Sequence, residues 1–89
     1  MEIDRVYVVN WVERDEVSFE HGSFKVAYAD RDDAVRAMEA DYRNALQSAK
    51  ETYGEEQVST VADCWFRSIT VDGGEETFWE WTVAELPVA

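Results

Sequence analysis

Two periods run through this chain. In one long stretch apolar side chains return every three or four residues, the pattern of a helix laid on a core; elsewhere they alternate along extended segments. The helical stretch runs from about Asp30 to Tyr53. Val35, Met38, Tyr42, Ala45, Leu46, Ala49 and Tyr53 fall on one stripe about 100° wide. Asp30 suits the N-cap, and Asp32 and Asp33 place carboxylates in the first turn, where the helix end is positive. Asp32 with Arg36 and Glu39 with Arg43 are acid-before-base pairs at four-residue spacing, each worth about 0.2–0.5 kcal/mol. Gly54 follows as the residue that stops the helix.

The extended stretches flank it. Residues 3–13, "IDRVYVVNWVE", are rich in β-branched and aromatic side chains and read as a strand that is apolar on both faces. After the acidic turn "ERDE", the segments "VSFE" and "FKVAYA" form a second strand, with His21-Gly22-Ser23 as a bulge or turn between them. Residues 58–71, "VSTVADCWFRSITV", read as one long strand. "DGG" at 72–74 is a hairpin turn, and "EETFWEWTVAEL" returns as the last strand before Pro87. The expected fold is α+β: one domain over residues 1–89, with a four-stranded, mainly antiparallel sheet in two hairpins. Strands and helix follow in ββαββ order, and one long helix covers one face.

That geometry raises a question of cover. Successive strand residues point to opposite faces, so Trp79, Trp81 and Val83 share one side and Phe78, Ala84 and Leu86 the other. One helix shelters one face of a sheet, yet large apolar groups occupy both. An uncovered apolar face on a small protein marks a partner or ligand site, and Trp and Tyr dominate interface hot spots. Tyr7, Trp11, Trp65, Trp79 and Trp81 are therefore the candidate interface residues, with Trp11, Trp79 and Trp81 as anchors. The competing reading is that these rings fill the ordinary core.

Charge changes the picture next. Twenty acidic residues face eight basic ones, a net −12, in a chain of 89 residues that is 46% hydrophobic. That hydrophobic fraction supports a folded domain despite the charge. A protein this acidic lacks the basic footprint that DNA, RNA or an anionic membrane requires, so neither is an expected partner. The acids concentrate outside the helix: residues 30–53 carry −2, residues 55–89 carry −7 and residues 1–20 carry −4. Glu13, Asp15 and Glu16 form one cluster, and Asp72, Glu75 and Glu76 another. Solubility, adaptation to high salt, or imitation of nucleic acid would each explain such a balance. In size and charge the chain is similar to small phage and mobile-element proteins that occupy the basic nucleic-acid channels of restriction, repair or CRISPR complexes.

Candidate chemistry is sparse. The chain has one histidine, His21, and one cysteine, Cys64. His21 reads as a turn residue and Cys64 as a small buried side chain with no base near it in sequence. No zinc, P-loop or dinucleotide signature occurs, and "DRDD" at 30–33 lacks the glycine and terminal Glu of a calcium loop. No catalytic residue, metal ligand or cofactor site is assigned. The lone thiol, the acidic "MEIDRVYVVNW" start and the lack of an apolar run near ~20 residues point to a cytoplasmic protein.

The leading expectation is a non-enzymatic interaction protein that self-associates, as a homodimer, or binds a protein partner through the aromatic sheet face. The first alternative is an acidic nucleic-acid mimic that inhibits a DNA-processing, restriction or CRISPR protein. The second is a small-ligand-binding domain built on an aromatic pocket.

Overall fold

The computed structural model describes residues 4–72 and 77–87. Strands β1 (Arg5–Arg14) and β2 (Phe19–Ser23) precede helix α1 (Arg31–Tyr53); a 3-10 turn (Glu55–Gln57) leads to β3 (Val58–Asp63), β4 (Phe66–Val71) and β5 (Thr77–Pro87). The five strands form one antiparallel sheet in the order β2-β1-β5-β4-β3. The α+β class and the single long helix are as expected, but the sheet has five strands rather than four.

The extra strand comes from residues 58–71, which fold back on themselves instead of running straight. Cys64 and Trp65 form a turn closed by side chains. The Cys64 N–H donates to Asp63 Oδ1, and the Arg67 guanidinium donates to the carbonyls of Phe66, at 2.8 Å, and Asp63. This corner has neither glycine nor proline, so nothing in the local sequence punctuates it. It also exposes Cys64, against the expectation of a buried thiol.

His21-Gly22-Ser23 departs from expectation in the opposite sense. These residues continue β2, with Gly22 opposite Trp11 and His21 opposite Val12. The Trp11 indole lies against Gly22, where a Cβ would come within 2.9 Å of the ring. The glycine serves a close approach between strands, and His21 is a strand residue. Beyond Ser23 the chain stays beside β1, with Phe24 N–H on the Val9 carbonyl at 2.8 Å and a paired bridge between Tyr7 and Tyr28.

The helix starts where Asp30 caps it, its Oδ1 accepting from the Asp32 N–H at 2.8 Å. It ends at Gly54, whose N–H makes the last bond of the ladder, to the Lys50 carbonyl, and whose φ of 90° turns the chain out of it. Ala34, Met38, Tyr42 and Ala49 are its buried residues, packed against Val9, Ile69, Trp81 and Val83 of the sheet. Small residues near both ends let the helix lie close to the strands. Of the expected ion pairs, Glu39–Arg43 forms at 3.0 Å, whereas Arg36 turns to Asp33 rather than Asp32.

The first and last strands pair over ten positions, from Arg5–Pro87 to Arg14–Phe78, a ribbon about 33 Å long, in a molecule whose longest dimension is 47 Å. The "DGG" turn expected at 72–74 falls largely outside the described residues; Asp72, where it begins, has a φ of 52°. No helix among the described residues is long and apolar enough to cross a membrane.

Candidate functional site

Register fixes which side chains share a face. Tyr7, Val9 and Trp11 of β1 stand beside Glu85, Val83 and Trp81 of β5, with Ile69 beside Trp79, and this is the side the helix covers. All five aromatic candidates therefore belong to the helix side of the sheet, not to the uncovered side. Trp81 is 3% exposed. Its ring meets Tyr42 edge-on at 5.7 Å, and its Nε1–H donates to Asp41 Oδ2 at 2.7 Å. A buried indole needs a partner for its one polar atom, and the helix supplies it. Trp81 thus anchors the fold internally and is withdrawn from the uncovered face of the sheet.

The other four rings are part-buried and divide into two groups. Near the start of the helix, Trp65 lies 6.1 Å from Tyr7, and Arg31 holds its guanidinium 5.0 Å above the Trp65 ring. Farther along, Trp11 stands across from Trp81 on β1 and Trp79 two residues before it on β5; with Phe24, Glu13 and Asp41 they line a cleft of about 270 Å³. The three proposed anchors do come together, as walls of a cleft between helix and sheet. Phe24 and Asp41 were not singled out from sequence. Asp41 adjoins Tyr42 of the apolar stripe, which was its one available signal.

The face away from the helix is formed by the opposite parity. Val6 pairs with Leu86 and Val8 with Ala84 in β1–β5, while Phe66 stands beside Thr82 and Val61 beside Ser68. Leu86 and Val61 are about half exposed, at 47% and 56%. On this face Glu80 and, at its margin, Asp63 are the described acids, and Arg14 lies 5.2 Å over the Phe78 ring.

The acids gather elsewhere. Arg14 pairs with Phe78, Val71 with Thr77 and Val58 with Val71, so the β1–β2 turn, the start of the β4–β5 turn and the 3-10 turn lie at one end of the sheet. Glu13, Asp15, Glu16, Glu55, Glu56 and Asp72 sit there together; Glu75 and Glu76 lie outside the described residues. Asp15 accepts from the N–H groups of Val17 and Ser18 at 2.8 and 2.7 Å, which holds its carboxyl below the usual range.

His21 and Cys64 stand at opposite edges of the sheet, on β2 and on the β3–β4 corner, so they form no nucleophile–base pair. Among the described residues no cluster of three potential metal ligands occurs. Comparison with protein-family models, curated proteins and solved structures finds no match for this chain.

Proposed function

We propose that this chain is a non-enzymatic interaction protein that works as a homodimer, two copies meeting through the sheet faces that their helices leave bare. The supporting observation is the contrast between the faces. A molecule of net charge −12 keeps its bare face nearly neutral and sets Val6, Val8, Phe66, Val61, Ala84 and Leu86 on it. With strands about 4.8 Å apart and ~3.3 Å per residue, the described strands present roughly 600 Å² of sheet per copy. Two such faces bury on the order of 1,200 Å², the lower edge of the range of specific interfaces. A second copy suits this face because it brings the same low charge and the same complementary pleat.

Sedimentation equilibrium tests the reading. The native protein forms a dimer that persists in 0.5 M NaCl, since apolar contact is insensitive to screening at ~4 Å. Val8→Glu with Ala84→Glu gives a folded monomer. A native protein that stays monomeric at about 100 μM, where micromolar affinities would show, refutes self-association.

A second reading has its own observation, the acids assembled at one end. It supports an inhibitor that imitates nucleic acid and engages a basic protein cleft. Such binding loses affinity steeply with salt, and charge reversal at Glu13, Glu16 and Glu55 would abolish it.

A further inference from the structure

The cleft between α1 and the β1–β5 ribbon has a composition that neither reading uses. Trp11, Phe24, Trp79 and Trp81 give it four aromatic walls, and Asp41 and Glu13 put carboxylates on its lining. Aromatic faces attract cations through the ring quadrupole, most strongly at Trp, and a carboxylate adds a full charge. The volume, about 270 Å³, falls below the ~300–1,000 Å³ of sites for drug-sized ligands, and fits a single compact group. Two carboxylates among indoles are a poor set for a hard metal ion, which takes six or more oxygens.

The surroundings point the same way. The chain places a guanidinium of its own over Trp65 and another over Phe78. Among the described residues none is placed over Trp11, Trp79 or Trp81. Glu13 lies directly across from Glu20 on the cleft's side of the β1–β2 pair, a like-charge pairing that costs stability until a cation comes near. The acidic end of the sheet is adjacent, so the field of the molecule draws positive charge toward this opening.

We infer that the Trp11–Trp79–Trp81 cleft binds an alkylated ammonium group, with Trp11, Trp79 and Phe24 packing its methyl groups over the buried Trp81 and with Asp41 and Glu13 balancing its charge. Tertiary and quaternary ammonium groups suit it better than a bare lysine, because their spread charge sheds water easily and their methyl groups fill apolar space. The same chemistry occurs on small molecules and on methylated lysine side chains.

Choline is the probe. In 15N-labelled protein at about 0.15 M NaCl, the indole N–H signals of Trp11, Trp79 and Trp81 shift saturably with choline chloride, and that of Trp65 stays in place. The uncharged isostere 3,3-dimethylbutanol gives shifts at least ~10-fold smaller at equal concentration. Asp41→Asn keeps an acceptor for the Trp81 indole yet weakens choline binding by roughly 10-fold, as expected for loss of one charge-assisted contact. Gly22→Ala displaces the Trp11 ring and weakens binding without altering any group that touches the ligand, and its spectrum shows whether the fold is kept. A trimethyllysine peptide that saturates the same indoles at lower concentration than choline assigns the source to a protein; choline saturating first assigns it to a small molecule. Equal shifts with the uncharged isostere, equal movement of Trp65, or no saturable shift by ~50 mM choline overturns the inference.

Discussion

Replacing Glu39 with Gln tests how the helix is tied to the sheet. Glu39 accepts from Arg67 Nε at 2.7 Å with one carboxylate oxygen and from Arg43 Nε at 3.0 Å with the other. The two bonds are not equal. Arg43 is largely exposed, and a helix-surface pair of that kind is worth about 0.3–0.5 kcal/mol. The Arg67 side chain is only 14% exposed and also holds the β3–β4 corner through two backbone carbonyls. A hydrogen bond to a charged group in such a place is worth about 1.5–3 kcal/mol, and glutamine retains part of it as a neutral bond. Glu39→Gln should therefore cost about 1.5–2 kcal/mol. The whole domain holds about 4–13 kcal/mol at roughly 0.05–0.15 kcal/mol per residue. The expected fall in Tm is roughly 6–16 °C.

The pH dependence makes that prediction sharper. The bond to Arg67 holds the Glu39 carboxyl below its ordinary value near 4.5. A carboxyl depressed on folding stabilises fully above its unfolded pKa, and the benefit fades as pH falls through the folded one. Urea denaturation followed by tryptophan fluorescence should thus show a constant gap between native protein and Glu39→Gln at neutral pH. That gap begins to close near pH 4.5 and vanishes under more acidic conditions. A loss below ~0.5 kcal/mol at neutral pH would mean that the ion pair is a surface pair without net value. A gap that stays open in acid would mean that the cost comes from packing.

Two further measurements probe backbone and side-chain placement. Gly54→Ala meets a φ of 90° and a ψ of 142°, a region essentially reserved for glycine, and should cost about 1–3 kcal/mol in urea denaturation although a Cβ there touches nothing. Cys64 is exposed at the β3–β4 corner, so a thiol reagent such as Ellman's should label it fully in native buffer at the rate of a free cysteine; protection until denaturant is added would return it to the interior.

The helix was legible from the sequence because three signals agreed there: the stripe through Met38 and Tyr42, the capping Asp30 and the terminating Gly54. The β3–β4 corner was not, because Arg67 closes it from outside the turn and no residue in the turn announces it. His21-Gly22-Ser23 misled for the converse reason. Glycine marks turns, but it also marks places where two chains come close, and the partner here is the Trp11 indole. The division of the aromatics between faces followed from strand parity alone. Which face the helix would take did not, since both sets are apolar. That choice rests on tertiary fit: Met38 and Tyr42 packing among Val9, Ile69 and Val83, and Asp41 receiving the Trp81 indole N–H.

The gathering of acids at one end constrains how two copies could join. In aligned packing, two sheets keep their strands within about 30° of each other, which leaves two arrangements, with the β1–β5 ribbons parallel or antiparallel. The parallel one would bring both acidic ends together, inside the ~8 Å over which charges act at physiological salt. The antiparallel one separates them by about 33 Å, the length of the ten-residue β1–β5 pairing and several Debye lengths, where their repulsion is largely screened. A dimer through the bare face should therefore be antiparallel. Spin labels on Glu16→Cys in a Cys64→Ser background read this directly. Glu16 lies in the β1–β2 turn at the acidic end, so an antiparallel pair gives a label separation of about 30 Å or more, the length of the β1–β5 pairing. Labels within about 20 Å of each other would place the two acidic ends side by side, and charge would then have no part in orienting the pair.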